Sequence, residues 1–307
     1  MVGYALRRFL AVVPTFLVIV AAAFFLMRAA PGGPFDEEQT LPPEIAANLQ
    51  AAYGLDQPVH VQFGRYLAGL VHGDLGPSFR MKDFTVAELI GRGLPVTLAI
   101  GIAALALALA LGIPLGLVAG LRQNGWADHA VMSVALAGIA IPNFVVAPLL
   151  ALLFGLHLGW LPVGGWEPGS LRHMLLPVVT LALPVVAYVA RLTRGSLLDV
   201  LQSPYIRTAR AKGLAPAVIL RRHALKPTLL PVVSFLGPAA AGLLTGSLVV
   251  EQVFGLPGVG RYFVQGAVNR DYTLVMGMVI FYATLILVLN LLVDFLYGWL
   301  DPRIRRE

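Results

Sequence analysis

The chain contains no cysteine. That excludes disulfides, thiolate metal centres, a cysteine nucleophile and thiol-linked lipid anchoring. Charge is nearly as scarce: 12% of the 307 residues are Asp, Glu, Lys or Arg, about half the share a soluble domain carries. The common signatures of catalysis are missing as well. There is no GxxxxGKS/T to cradle nucleotide phosphates, no HExxH and no GxSxG. The six histidines (His60, His72, His129, His157, His173 and His223) never fall four residues apart, so none forms a helical metal-ligand pair. No catalytic residue and no metal site is expected, and there is no internal repeat or low-complexity tract.

Hydrophobic residues make up 58% of the chain. They are gathered into six runs nearly free of charge: 9–27, 94–121, 130–156, 174–190, 228–250 and 272–293. A run of about 20 apolar residues crosses about 30 Å of hydrocarbon at 1.5 Å per residue. The expected fold class is therefore all-α, a polytopic membrane protein with six transmembrane helices in one domain spanning 1–307. The first run is longer than the apolar stretch of a signal peptide and reads as a span. Between runs one and two, the polar segment 30–93 predicts two short helices, Pro43–Tyr53 and Val59–His72, ended by Gly54 and Gly73. In the second, Phe63, Tyr66, Leu67 and Leu70 share one face, which should pack on the rim of the membrane part.

Orientation follows from the basic residues. With six spans and a cytoplasmic N-terminus, the inner segments hold 14 of the 22 Lys and Arg and four acids, a net of +10. The outer segments hold eight basic and eleven acidic residues, a net of −3, and Asp294, near a span end, completes the total. Both termini are therefore expected to be cytoplasmic. The overall charge of +6 marks topology and an inner-face partner, and no nucleic-acid platform of interleaved aromatic and basic residues is present.

One polar segment stands apart. Ser203–Pro231 carries Arg207, Arg210, Lys212, Arg221, Arg222, His223 and Lys226 and no acid. Ser203-Pro204 predicts a helix start with a side-chain cap and a proline at the first helical position. Gly213 predicts its stop, since glycine alone enters the left-handed conformation without strain. Ala215-Pro216 starts a second helix. A basic loop obeying the charge rule needs no such punctuation; a docking element does.

Other features bear on movement and passage. Gly112, Gly116 and Gly120 form one small-residue ridge, and Gly242 and Gly246 a second pair; they serve either static packing or sliding of helices. Prolines at 14, 114, 142, 148, 177, 184, 231 and 238 predict kinks. Asn143, Thr180, Ser234, Thr245, Ser247 and Asn290 are polar groups within the spans, facing a pathway or one another. On run five, Ser234, Pro238, Ala241 and Thr245 are spaced by three and four, so they form a candidate pathway face, to which Asn143 and Glu251 are added as gate candidates. Near the inner end, Asp294 calls for a partner, with Arg191 the first choice and Arg194 the second.

The basic segment, RTARAKGL followed by RHALKPTLLP, resembles the cytoplasmic coupling loop of ABC importer permeases. On that pattern Arg207, Thr208 and Ala209 stand at the Glu-Ala-Ala positions and Gly213 at the glycine. Arg207 and Thr208 depart from the general consensus, and Leu230-Pro231 falls late; the form is that of the peptide-transporter branch. The resemblance extends through APGGPF at 30–35, LPPE at 41–44, HGDLGPS at 72–78, IPNFVVAPLL at 141–150, GWLP at 159–162, RLTRGSLLDVL at 191–201, FGLPGVG at 254–260, NRDY at 269–272 and DPRIR at 301–305, and is most similar to the B-type subunit of oligopeptide importers. It implies a type I importer architecture in a bacterial inner membrane. Its implied partners are a homologous second permease, two ABC ATPase subunits and an extracytoplasmic peptide-binding protein. ATP and magnesium would sit on the ATPases, with no cofactor on this chain. Tyr205, Arg207, Thr208, Ala209, Arg210, Ala211, Lys212 and Gly213 would contact an ATPase in the coupling loop, about 195–227. The loop 251–260 would close the outer gate. Import of dipeptides, glutathione or nickel stays open within the family. Outside it, an ion-coupled secondary transporter and a purely structural membrane subunit remain, the first weakened by the lack of midplane charge.

Overall fold

The computed structural model describes residues 2–29, 54–81 and 83–300. The expected helix at Pro43–Tyr53 and the DPRIR segment lie outside that range. The described residues form helices joined by turns: α1 (Val2–Ala29), α2 (Val59–Val71), α3 (Val86–Leu121), α4 (Trp126–Ala140), α5 (Asn143–Leu150), α6 (Leu171–Leu201), α7 (Pro204–Ala211), α8 (Pro216–Ile219), α9 (Leu225–Val253), α10 (Val259–Val268) and α11 (Tyr272–Leu300). Two stretches of wider π-type winding extend this set, Ala151–His157 after α5 and Leu220–Ala224 between α8 and α9. Among the described residues, five helical stretches are long and apolar enough to cross a membrane, and the bent pair formed by α4 with α5 and its extension adds a sixth when its two halves are counted as one span.

That bent pair is where the structure departs from the expected spans. Residues 130–156 do not form one straight rod: the two halves meet at 102°. Pro142 offers no amide hydrogen and forces the residue before it out of the helical region; Ile141 is accordingly extended at φ −88°, ψ 117°. The helix continues through Pro14, Pro114, Pro177, Pro184, Pro231 and Pro238, so the one abrupt break among these prolines is at Pro142.

α3 starts earlier than the apolar run. Thr85 accepts from the Glu88 amide at 3.2 Å, and the Glu88 carboxylate accepts from the Thr85 amide at 2.9 Å, a reciprocal cap that satisfies two free amides. Along its other half α3 forms the most extensive helix pair, with α6. The glycine ridge makes this possible. A Cβ at Gly116 would lie 2.5 Å from the Ala190 carbonyl oxygen, and one at Gly112 or Gly120 within 2.9 Å of Val189 or Leu197. The ridge is used for close packing inside the subunit, where dispersion between backbones replaces the missing hydrophobic drive. Gly242, by contrast, is exposed and meets nothing within 4 Å.

The central core joins α3, α5, α6 and α9 through Ile100, Ala104, Ala147, Leu181, Leu243 and Val250, and closes at one end on Phe254 and Leu256. A second cluster sets the predicted face of α2 (Phe63, Tyr66, Leu67, Leu70) against Val20 and Phe24 of α1 and Met276 and Ile280 of α11. The short helix thus packs on the rim of the bundle, and burial pushes the Tyr66 phenol up from its ordinary pKa. The bundle has two distinct ends. One carries α7, α8 and the α3–α4 turn and is termed the basic end. The other carries α2, the 72–85 segment and α10 and is termed the cap end.

Candidate functional site

At the basic end, Pro204 opens α7 with Ser203 in extended conformation at the cap position. The serine hydroxyl does not cap the helix as expected. It donates backwards to the Val200 carbonyl at 2.6 Å, fastening α7 to the end of α6. The stop is as expected. Gly213 has φ +74°, its amide donates to Arg210 and the Leu214 amide to Ala209, the paired bonds of a Schellman end. A Cβ at Gly213 would meet no atom within 4 Å, so the requirement there is conformational, not steric.

α7 has a buried and an open side. Ile206 and Ala209 pack with Leu197, Ile219 and Ala224; Tyr205, Arg207, Thr208, Arg210, Ala211, Lys212 and Gly213 are exposed. Of the eight coupling candidates, Ala209 is therefore corrected: it faces its own bundle, because positions 206 and 209 fall on the side that covers α6 and α8. The remaining seven form a continuous basic surface free of acid.

Beside α7 lies an open cleft of about 610 Å³, lined by Gly120, Arg122, Gln123, Gly125, Leu198, Gln202 and Arg210 among others. Near it, α4 and α6 are joined by an ion pair that spacing along the chain does not reveal. Arg194 donates to both carboxylate oxygens of Asp128, Nε to Oδ1 at 2.5 Å and Nη2 to Oδ2 at 2.7 Å, and the Asn124 amide adds a third bond at 2.9 Å. Asp128 is 1% exposed. Asp294, whose side chain lies outside the described residues, was expected to draw Arg191 or Arg194. Arg194 is taken by Asp128 instead, and Arg191 is exposed. An Asp in the first turn of α4 was a visible signal; its distance from Arg194 was not.

The candidate pathway face on α9 is shifted by one residue. Ser234 and Pro238 are exposed and Thr245 half-buried, but Ala241 is 7% exposed and packs inward. The open stripe runs through Pro231, Ser234, Pro238, Gly242, Thr245, Val249 and Gln252. Spacings of three and four keep it on one side of a helix, and from Pro231 to Thr245 its side chains are small. Ser234 and Thr245 spend their hydroxyls on the carbonyls of Leu230 and Ala241. Asn143 is half-buried at the bend, with its Oδ1 enclosed and unpaired among the described residues. Thr180 and Ser247 are buried and bonded to carbonyls of their own helices, so they line no passage.

Glu251 is also placed differently. It is fully buried. Thr97 of α3 donates to its Oε1 at 2.7 Å, and the Gly260 amide donates to its Oε2 at 2.8 Å. Its carboxylate is held inside the cap end and faces no opening. Nearby, the HGDLGPS and NRDY motifs prove to be each other's partners. Ser78 donates to the buried Asp271 carboxylate, and the Arg80 amide adds a bond to it at 3.2 Å. Asp271 in turn accepts from the Leu274 amide at 3.1 Å, capping α11. The 72–85 segment is thereby tied to the α10–α11 turn.

A helical bundle ending in an exposed basic helix with a fixed glycine stop can now be set beside known proteins. Residues 112–306 match the family described as binding-protein-dependent transport system inner membrane component, and residues 1–101 match the N-terminal model of binding-protein-dependent transport system membrane components. The chain belongs to this family of inner membrane transport components. Among its relatives, this component is 50% identical over 305 residues to the oligopeptide transport system permease protein OppB of Escherichia coli K12, covering 99% of this chain and 100% of that one. It is 43% identical over 305 residues to the dipeptide transport system permease protein DppB of Bacillus subtilis 168, covering 99% and 98%. Its fold is similar to that of a chain in a structure of the MetNI methionine ABC transporter described as inward facing, with a TM-score of 0.59 at 19% identity, over 69% of this chain and 96% of that chain. The family match makes this a multi-pass permease of the inner membrane and bears out the expected type I architecture.

Proposed function

We propose that this permease is one of two homologous membrane subunits of an importer that takes up oligopeptides, driven by ATP hydrolysed on two partner ATPases and loaded by an extracytoplasmic binding protein. The observation that carries the reading is α7. It is a short helix with a Schellman end, pinned to α6 by Ser203 and to the bundle by Ile206, with its basic side fully open. A push delivered there reaches α6 and α9 through packed contacts, which is what coupling to a two-state motor requires. The basic end then faces the cytoplasm, in keeping with its charge, and the cap end faces the binding protein.

The α9 stripe fits a permissive wall. It offers small, weakly polar groups and no fixed charge, whereas a selective site needs convergent polar anchors. Selectivity would then rest with the binding protein, and the substrate class draws support from the identity to OppB. The test is uptake into proteoliposomes holding the full complex, with ligands of the cognate binding protein identified by mass spectrometry. Uptake of that peptide pool that stops on ATP depletion while ion gradients are held supports the reading. Uptake that follows an ion gradient without ATP, or a binding protein carrying no peptide, refutes it.

A further inference from the structure

The helix α10 begins at Val259 after Gly258, a residue with no side chain to cap it. The first amides of a helix have no partner within it and need one from elsewhere. Here both come from other helices. The Val259 amide donates to Thr97 Oγ1 of α3 at 2.9 Å, and the Gly260 amide to Glu251 Oε2 of α9 at 2.8 Å. Thr97 closes the set by donating its own proton to Glu251 Oε1 at 2.7 Å. The pairs are separated by 162, 9 and 154 residues. Glu251 and Thr97 are both 0% exposed, so no water competes for these bonds. A carboxylate at this position also meets the positive end of the helix dipole.

The surrounding glycines are shaped to the carboxylate. A Cβ on Gly258 would fall 2.3 Å from Glu251 Cδ, and one on Gly93 would fall 2.7 Å from the Val259 nitrogen. At its other end α10 is held by the Asp271 amide, which donates to the Gly266 carbonyl at 2.9 Å, while the Asp271 carboxylate is bound by Ser78.

We propose that Glu251 and Thr97 act as positioning residues that cap α10 from outside, so that α10 travels as a fixed appendage of α3 and α9 when the cap end moves. What this means for uptake rests on the proposed function; the cap itself does not. In an ATP-driven cycle, a push transmitted along α9 would displace α10 directly, because the Glu251–Gly260 bond ties the two helices across the 254–258 turn.

The experiment is hydrogen exchange followed by mass spectrometry on the assembled complex in lipid nanodiscs, comparing wild type with Glu251→Ala, Glu251→Gln and Thr97→Val, and uptake by the same complexes. Peptides covering 256–262 should exchange about tenfold faster in Glu251→Ala, since each lost acceptor frees a buried amide for local opening. Glu251→Gln, with one oxygen left, should fall between wild type and Ala. Exchange in the 78–81 segment and along α3 should stay at the wild-type rate. Uptake should fall in the order Gln, then Ala. Unchanged exchange at 256–262, or acceleration spread evenly over α3, α9 and α10, overturns the cap. Faster exchange with full uptake overturns the rigid link. If the Ala complex cannot be assembled, Gln and Thr97→Val decide by the same criteria: the first removes one acceptor oxygen, and the second removes the acceptor of the Val259 amide together with the donor to Glu251. A wild-type complex that takes up no peptide counts against the proposed function and leaves the exchange result standing.

Discussion

The Asp128–Arg194 pair makes a quantitative prediction. The carboxylate side chain is 2% exposed and the guanidinium 25%, so the two partners are not equivalent. Replacing Arg194 by Gln strands a buried carboxylate with the Asn124 amide as its remaining donor among the described residues. Breaking a buried pair in this way costs about 3–5 kcal/mol. The site sits beside an open cleft, where water can reach the vacated space, so the lower end, about 3 kcal/mol, is expected. Asp128→Asn leaves Arg194 a route to solvent and keeps one acceptor, so about 1–2 kcal/mol should be lost. At about 2–4 °C per kcal/mol for chains near this size, the melting midpoint of the purified complex should drop by about 6–12 °C in Arg194→Gln. The double mutant should lose less than the sum by about 1–3 kcal/mol, since the second change removes the charge that the first left unpaired. Tryptophan fluorescence melting of the four proteins in one lipid and one detergent measures this. Additivity within about 0.5 kcal/mol would refute the pairing.

Three further outcomes are expected. Gly213→Val should abolish ATP-driven uptake with the protein still inserted, because a β-branched residue at φ +74° costs about 1–3 kcal/mol locally and melts the end of α7; Gly213→Asn, which tolerates that conformation, should restore most of the uptake, and equal failure of both would refute the conformational account. Gly116→Leu should prevent accumulation of folded permease, as the new side chain would begin 2.5 Å from the Ala190 carbonyl and overpacking alone costs about 1–3 kcal/mol or more; normal yield and melting would show that α3 and α6 are not packed as described. On α9, Gly242→Trp should block uptake with assembly intact, whereas Leu243→Trp, on the buried side, should reduce assembly itself; identical phenotypes would mean that packing and not occlusion governs both.

Much of the architecture could be read along the chain because it depends on local chemistry. The spans follow from run length, the start and stop of α7 from Pro204 and Gly213, and the packing face of α2 from spacing alone. Each of these is set by a residue's own backbone preference or by the 3.6-residue period, and neither needs knowledge of distant neighbours. The errors share a cause as well. Spacing puts Ala241 on an open face and the resemblance to a coupling loop does the same for Ala209, but which side of a helix is covered is decided by what packs there. Ala, lacking polarity and bulk, carries no signal of its own. The 102° break at Pro142 looks in sequence like any other proline in the spans.

The sequence by itself thus determined that the chain is a polytopic helical membrane protein, which end is basic, and where a docking helix begins and ends. Tertiary structure alone decided the polar pairings: Arg194 with Asp128, Ser78 with Asp271, and Thr97 with Glu251 and the start of α10. These partners stand 66, 193 and 154 residues apart. A buried charge or hydroxyl announces in the sequence that it needs a partner, because desolvation is costly. Which partner it finds depends on the helix packing that first brings the two together.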